Sequence, residues 1–185
     1  MDLDKRHEIK TPRFEFSYGQ PIGWKAPNTQ CTHPYCDIDF RRSRATGFWN
    51  NLRGLNYSPR PRLRMFRAKG KDMLNLQVQR PDRDPRSLLT ENTVVRGIQR
   101  NRGKVERILI GNRHGCRTIE VQYSWKRRWH NEYGFQIHFA LGPYIFSVQL
   151  NSLLPFRGKD ERLLEASAFA DSIRVPGFPR EPERI

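Results

Sequence analysis

The sequence predicts an α+β protein built on a single antiparallel sheet with flanking helices. Three observations predict it. Residues 104–150 hold four strand patterns in succession, three of which alternate almost without error. One helix pattern precedes that stretch and a second follows it, and short turn signals separate the elements. In the first alternating run, Ile119, Val121, Tyr123 and Trp125 interleave with Thr118, Glu120, Gln122 and Ser124. The second sets Tyr133, Phe135, Ile137, Phe139 and Leu141 against Gly134, Gln136 and His138. The third sets Tyr144, Phe146, Val148 and Leu150 against Ile145, Ser147 and Gln149. Side chains on a strand change face at every residue, so the expectation is a meander whose three runs share one apolar face.

The remaining elements follow in chain order. Residues 1–12 are polar and mixed in charge and read as an N-terminal arm. Phe14, Phe16 and Tyr18 alternate as a short strand that ends at a Gly/Pro turn, with Trp24 anchored in the core behind it. A loop insert is expected at about residues 27–61, where Pro, Asn, Thr, Gly, Cys and Arg crowd in without clear periodicity and only Ile38-Asp39-Phe40 hints at a strand. Leu63 and Met65 alternate with arginines as an edge strand, paired across Gly70-Lys71 with Leu74, Leu76 and Val78. Asp84-Pro85 starts a helix expected to run to about Asn101, with Leu88, Val95 and Ile98 on one face and Gly103 as its stop. Residues 105–110 form the first strand of the central stretch. A last helix opens at Lys159-Asp160 and is stopped by Pro176. The expected organisation is thus an arm (1–12), one α+β domain (13–176) and a proline-rich tail (177–185).

Composition narrows the class. A length of 185 residues suits one domain, and no run approaches the 18 apolar residues of a membrane helix. The first residues contain no apolar segment of the kind a Sec signal needs, although a processed chain would read the same way. Three cysteines cannot all pair within the chain, which points to a reducing, cytoplasmic setting, bacterial or organellar. The formal charge of +15 comes from 26 arginines and 8 lysines. It favours anionic partners, nucleic acid or an acidic surface among them.

Several features resemble the PsbP/DcrB-like superfamily. They are the Phe14-x-Phe16-Ser17 strand, the Pro21-x-Gly23-Trp24 turn and the helix before residues 105–111. The strand at 115–125, the two aromatic strands after it, and a final helix ending Ala170-Asp171-Ser172-Ile173-Arg174-Val175 complete the pattern. Members of that superfamily include photosystem accessory subunits, a Ran-binding import factor, periplasmic lipoproteins and chaperones for type VI secretion effectors. The resemblance implies an α/β sandwich that acts as a mostly non-catalytic binding or chaperone platform. The insert at 27–61 and the high positive charge depart from the family pattern.

No reaction is legible. Carboxylates form no acid–base pair, and no phosphate loop, nucleotide fingerprint or serine nucleophile motif occurs. Cys116 with His138 or His114 is the one thiol–imidazole combination for nucleophilic chemistry, against the simpler reading of a core cysteine and a hydrogen-bonded histidine. Cys31, His33 and Cys36 could hold zinc with a fourth ligand from the His114–Cys116 turn; a Cys31–Cys36 disulfide and free thiols are the other readings. Otherwise no cofactor is expected.

Binding is better marked. Gln122, Ser124, Gln136, Ser147 and Gln149, with Thr118, Asn75 and Gln77, are polar yet uncharged in a chain that is 29% charged. A freely solvated face should carry more arginine and glutamate, so these residues are expected to form one hydrogen-bonding surface covered by a loop or a partner. Lys126, Arg127, Arg128 and Trp129 form a second candidate contact, suited to a protein hot spot or to base stacking. The expected function is an adaptor, chaperone or assembly subunit for a protein partner, with nucleic-acid binding as the alternative.

Overall fold

The computed structural model describes residues 3–21, 23–24, 28–32, 34–43, 71–127 and 131–178, and among them nine strands and three helices form. The strands are β1 (Leu3–Lys10), β2 (Glu15–Pro21), β3 (Asn28–Thr32), β4 (Tyr35–Ser43) and β5 (Lys71–Gln79), then β6 (Lys104–Arg113), β7 (Cys116–Lys126), β8 (Asn131–Leu141) and β9 (Tyr144–Ser152). Helices α1 (Pro85–Leu88) and α2 (Glu91–Arg100) lie between β5 and β6, and α3 (Glu161–Ser172) follows β9. β1 and β2 form a two-stranded sheet, and the other seven run in the order β3-β4-β5-β9-β8-β7-β6. Among the described residues no helix is long and apolar enough to cross a membrane.

This corrects the expectation of a single sheet with flanking helices. The fold is mostly β, with 56% of the described residues in strands, two sheets and few, short helices. Of the strands outside the expectation, β1 and β3 are weakly patterned, whereas β4 alternates clearly. β1 lies in the expected arm: Arg6 Nε donates to Ser17 Oγ at 3.0 Å and His7 stacks on Tyr18 at 5.3 Å, while Ile9 is the residue that meets the core. β3 and β4 lie in the expected loop insert. β3 is an edge strand with most of its residues exposed, so nothing selects for apolar alternation there. β5 pairs with β4 and β9; the edge strand expected around Leu63 and Met65 lies outside the described residues.

The helix expected over 85–101 is two helices. Asp84 Oδ1 accepts from Arg86 N to start α1. Thr90 then caps a new start, its Oγ1 accepting from Thr93 N at 3.2 Å, and α2 begins there. At the far end Asp160 Oδ1 accepts from Arg162 N at 2.9 Å, capping α3 as expected.

Two hydrophobic clusters sit on opposite faces of the large sheet. The main one packs β4, β5, β9 and β8 against the β1–β2 hairpin and α3, with Tyr18 edge-on to Phe40 at 5.8 Å and Phe40 edge-on to Phe169 at 5.3 Å. Each such fully buried aromatic contributes roughly 1.5–3 kcal/mol. The second cluster packs Val94 and Ile98 of α2 on Ile119, Val121 and Tyr123 of β7.

The clusters separate because the apolar phase reverses between neighbouring strands. Ile119 pairs with His138, Val121 with Gln136 and Tyr123 with Gly134. Directly opposed residues share a face, so the apolar side of β7 is the polar side of β8. The common apolar face expected for β7, β8 and β9 is therefore confined to β8 and β9.

Candidate binding groove

The phase reversal leaves a polar floor beside a helix. Across the sheet, the pairings place Asn28, Asp39, Asn75, Gln149 and Gln136 in one row, ending at Val121 under α2. The adjacent row runs Gln30, Asp37, Gln77, Ser147 and His138, ending at Ile119. The apolar ends of both rows are buried by α2, while Asn75, Gln149 and Gln136 of one row and Gln77, Ser147 and His138 of the other floor a groove of about 580 Å³. That volume lies within the range of ordinary ligand sites. Leu88 and Leu89, with Val94 and Ile98 from α2, line the apolar wall, and Trp125 also borders the groove.

Hydrogen bonds fix the floor. Asn75 Nδ2 donates to Asp39 Oδ1 at 2.8 Å, and Gln77 Nε2 donates to Asp37 Oδ1 at 2.9 Å. Gln149 Nε2 donates to Asn151 Oδ1 at 3.1 Å. Each amide has thus spent an N–H on a neighbour and keeps its carbonyl oxygen for an incoming donor. His138 and Gln136 are joined at 2.9 Å, Nε2 to Oε1. Burial pushes His138 down to about 4, so at neutral pH it carries no charge and its Nε2–H donates to the Gln136 carbonyl. Burial also raises the Tyr123 hydroxyl well above its ordinary value, with Gln136 beside it, which keeps that phenol protonated.

The structure gathers only some of the residues expected on one surface. Gln136, Ser147 and Gln149 lie together in the groove with Asn75 and Gln77. Gln122 and Ser124 do not: they pair with Phe135 and Tyr133 on the opposite face, and Thr118 with Phe139. Ser124 Oγ there donates to Glu106 at 2.7 Å. Lys126 and Arg127 are exposed at the end of β7, where Arg127 lies 5.6 Å over Trp125 and pairs with Glu132 at 2.9 Å. Arg128 and Trp129 lie outside the described residues.

The metal and nucleophile candidates come apart. Cys31 and Cys36 face each other across the β3–β4 pair and are joined by a disulfide, which removes both thiolates as ligands. His33 lies outside the described residues, and among those described no three His, Cys, Asp or Glu side chains cluster for a metal. Cys116 packs against the main core, whereas His138 looks out on the opposite face, so the two cannot meet. His114 occupies a left-handed turn position (φ 53°) with Gly115 (φ 69°), and its Nε2 lies 3.1 Å from the Ala170 carbonyl of α3. That histidine ties the β6–β7 turn to the last helix.

Sequence reading missed the α2 wall of the site and Tyr35, Asp37 and Asp39, which the ladder sets beside the groove residues Gln79, Gln77 and Asn75. The signal for the β4 residues was their alternation with Cys36, Ile38 and Phe40, all fully buried.

No family model and no curated protein matches this chain. Among solved structures it is similar to LpqN, involved in cell envelope biogenesis of Mycobacterium tuberculosis, with 12% identity, TM-score 0.46, and 92% of this chain and 90% of that one covered. It is also similar to PA94 of Pseudomonas aeruginosa, a protein of unknown function, with 12% identity, TM-score 0.43, and 80% and 82% covered.

Proposed function

We propose that this chain is a non-enzymatic binding module, an adaptor, chaperone or assembly subunit, whose groove between α2 and the amide floor holds a segment of a protein partner. The observation that carries the reading is the pair of uncharged stretches that line the groove, Asn75–Gln149–Gln136 and Gln77–Ser147–His138. In a chain of net charge +15 they form a hydrogen-bonding floor beside an apolar wall. Extended polypeptide suits such a floor, because it brings backbone donors and acceptors at regular spacing together with apolar side chains. The reading agrees with what the PsbP/DcrB-like resemblance implies. The Cys31–Cys36 disulfide supports an oxidising compartment over the reducing one that the cysteine count suggests.

The test is a Gln149→Arg variant assayed for partner capture beside a melting curve. A new arginine on an open floor is close to neutral for folding, whereas an unpaired charge buried under a partner costs roughly 2–5 kcal/mol. Normal melting with lost capture supports the groove; normal melting with unchanged capture refutes it. A second reading rests on Arg96, Arg100, Arg102, Lys104 and Arg107, all exposed along α2 and the start of β6. Those cations fit a nucleic-acid backbone, and binding there would fall steeply with salt through counterion release.

A further inference from the structure

Along the polar face of β4, Tyr35, Asp37 and Asp39 stand at every second residue, and so on one side of the strand. The pairings set them beside Gln79, Gln77 and Asn75, which line the groove. Asp37 and Asp39 each accept one amide N–H from the floor, from Gln77 and Asn75 respectively. A carboxylate offers about four acceptor sites, so both retain most of their capacity. Among the described residues no cation pairs with either, although the chain holds 34 lysines and arginines. Tyr35 next to them is one of the exposed large aromatics.

We infer that the groove takes an extended polypeptide segment with a cationic side chain, arginine above all, at the Tyr35–Asp37–Asp39 column and an apolar side chain against α2. The inference rests on the groove reading and names the chemistry of its occupant. Three features converge on a donor-rich cation at this end. Two carboxylates offer acceptors to a guanidinium, an aromatic residue beside them suits cation–π stacking, and the Asn75 and Gln77 amides, each donating to an aspartate, have carbonyl oxygens with no hydrogen bond among the described residues. At the opposite end, the Leu88, Val94 and Ile98 wall accepts an apolar group. Nucleic acid is disfavoured here, since its phosphates would face two carboxylates.

The +15 net charge does not prevent this. At 0.15 M salt the screening length is about 8 Å, so scattered charges fade while contact pairs persist. The experiment is fluorescence anisotropy at that salt with a labelled short peptide of alternating leucine and serine carrying one arginine, beside counterparts with glutamine or glutamate in its place. The arginine probe is expected to bind about tenfold tighter than the glutamine one, the glutamate probe weakest. Asp37→Asn with Asp39→Asn should abolish the preference, and Asp39→Lys should transfer it to the glutamate probe, so a folding defect in one variant leaves the other to decide. Absence of binding, or equal binding of all three probes, overturns the inference. If the glutamine or glutamate probe binds best and Gln149→Arg abolishes it, the groove stands and the cationic occupant is refuted. If the arginine probe binds but ignores Gln149→Arg, the site lies off the groove and both readings fail.

Discussion

Tyr123 lies across Gly134. A methyl group built on that glycine would stand 2.3 Å from Cζ of the tyrosine ring and 2.6 Å from its hydroxyl oxygen. The two residues are direct partners in the β7–β8 ladder, and Tyr123 is fully buried in the α2 cluster. A glycine inside a strand is ordinarily a weakness, and here the aromatic ring covers the gap it leaves.

Gly134→Ala is therefore expected to destabilise the protein by roughly 1–3 kcal/mol, because ring and backbone must both shift in a packed interior. Denaturant unfolding measures it. An unchanged midpoint would mean that the ring moves freely, and the α2 cluster would then not hold the floor in place.

His138 gives a pH dependence of definite sign. Its folded value of about 4 lies below the unfolded value near 6.5. Above that range both states are neutral and the group contributes nothing to pH dependence. Between about pH 6.5 and 4 the unfolded chain takes up a proton that the folded one refuses, so stability falls by roughly 2–3 kcal/mol. His138→Gln should flatten that part of the profile. A wild-type melting temperature that stays constant from pH 7 to pH 4 would refute the buried, neutral imidazole.

Asp160 acts in a lower window. Its carboxylate caps α3 and binds the Arg162 guanidinium, at 2.6 Å through Oδ2, and those contacts hold it near 2. Its contribution is present above the unfolded value of about 3.9 and is lost as pH falls toward 2, on the order of 2 kcal/mol. Arg162 itself is buried, bonded also to the Leu154 and Pro155 carbonyls and paired at 3.9 Å with Asp72. Removing it takes a buried guanidinium from Asp160, from the Ser152 hydroxyl and from two backbone carbonyls, so Arg162→Ala should cost roughly 3–5 kcal/mol. Asp160→Asn should reduce the acid-side slope by that carboxylate's own contribution, as read from urea midpoints between pH 5 and 2.

The disulfide makes a chemical prediction. Cys31 and Cys36 close a short loop between directly paired strands, worth roughly 2 kcal/mol in the chain-entropy account. Alkylation of the unfolded, unreduced protein should find one free thiol, Cys116. Three reactive thiols would refute the bond and return Cys31 and Cys36 to the metal question.

The sequence made the strong elements legible and hid the ones that matter for the groove. β7, β8 and β9 were readable because each buries most of one face. Their relative phase was not, since alternation within a strand says nothing about which face its neighbour shares. That single unknown sent Gln122 and Ser124 to the wrong side of the sheet and hid α2 as a wall. β1 and β3 were illegible for a different reason. Each buries little, so their residues carry turn and surface composition, and only pairing with β2 and β4 reveals them as strands. Asp37 and Asp39 take on a role only through the register, which sets them beside Gln77 and Asn75.

The phase reversal itself can be tested with two identical substitutions on opposite faces. Gln149 pairs with Gln136 on the groove floor, whereas Gln122 pairs with Phe135 on the far side of the sheet. Both are half-buried glutamines in central antiparallel strands, so arginine brings similar bulk and charge to each. Gln149→Arg should weaken binding of the arginine peptide at least tenfold, since a fixed positive charge would then meet the ligand's own across a desolvated floor. That repulsion alone is worth more than about 1.4 kcal/mol. Gln122→Arg should leave that affinity within about twofold of wild type, with any effect confined to the melting temperature. Equal losses from both substitutions would mean that the two glutamines share a surface after all. The register that places β7 and β8 in opposite phase would then be wrong, and the groove with it.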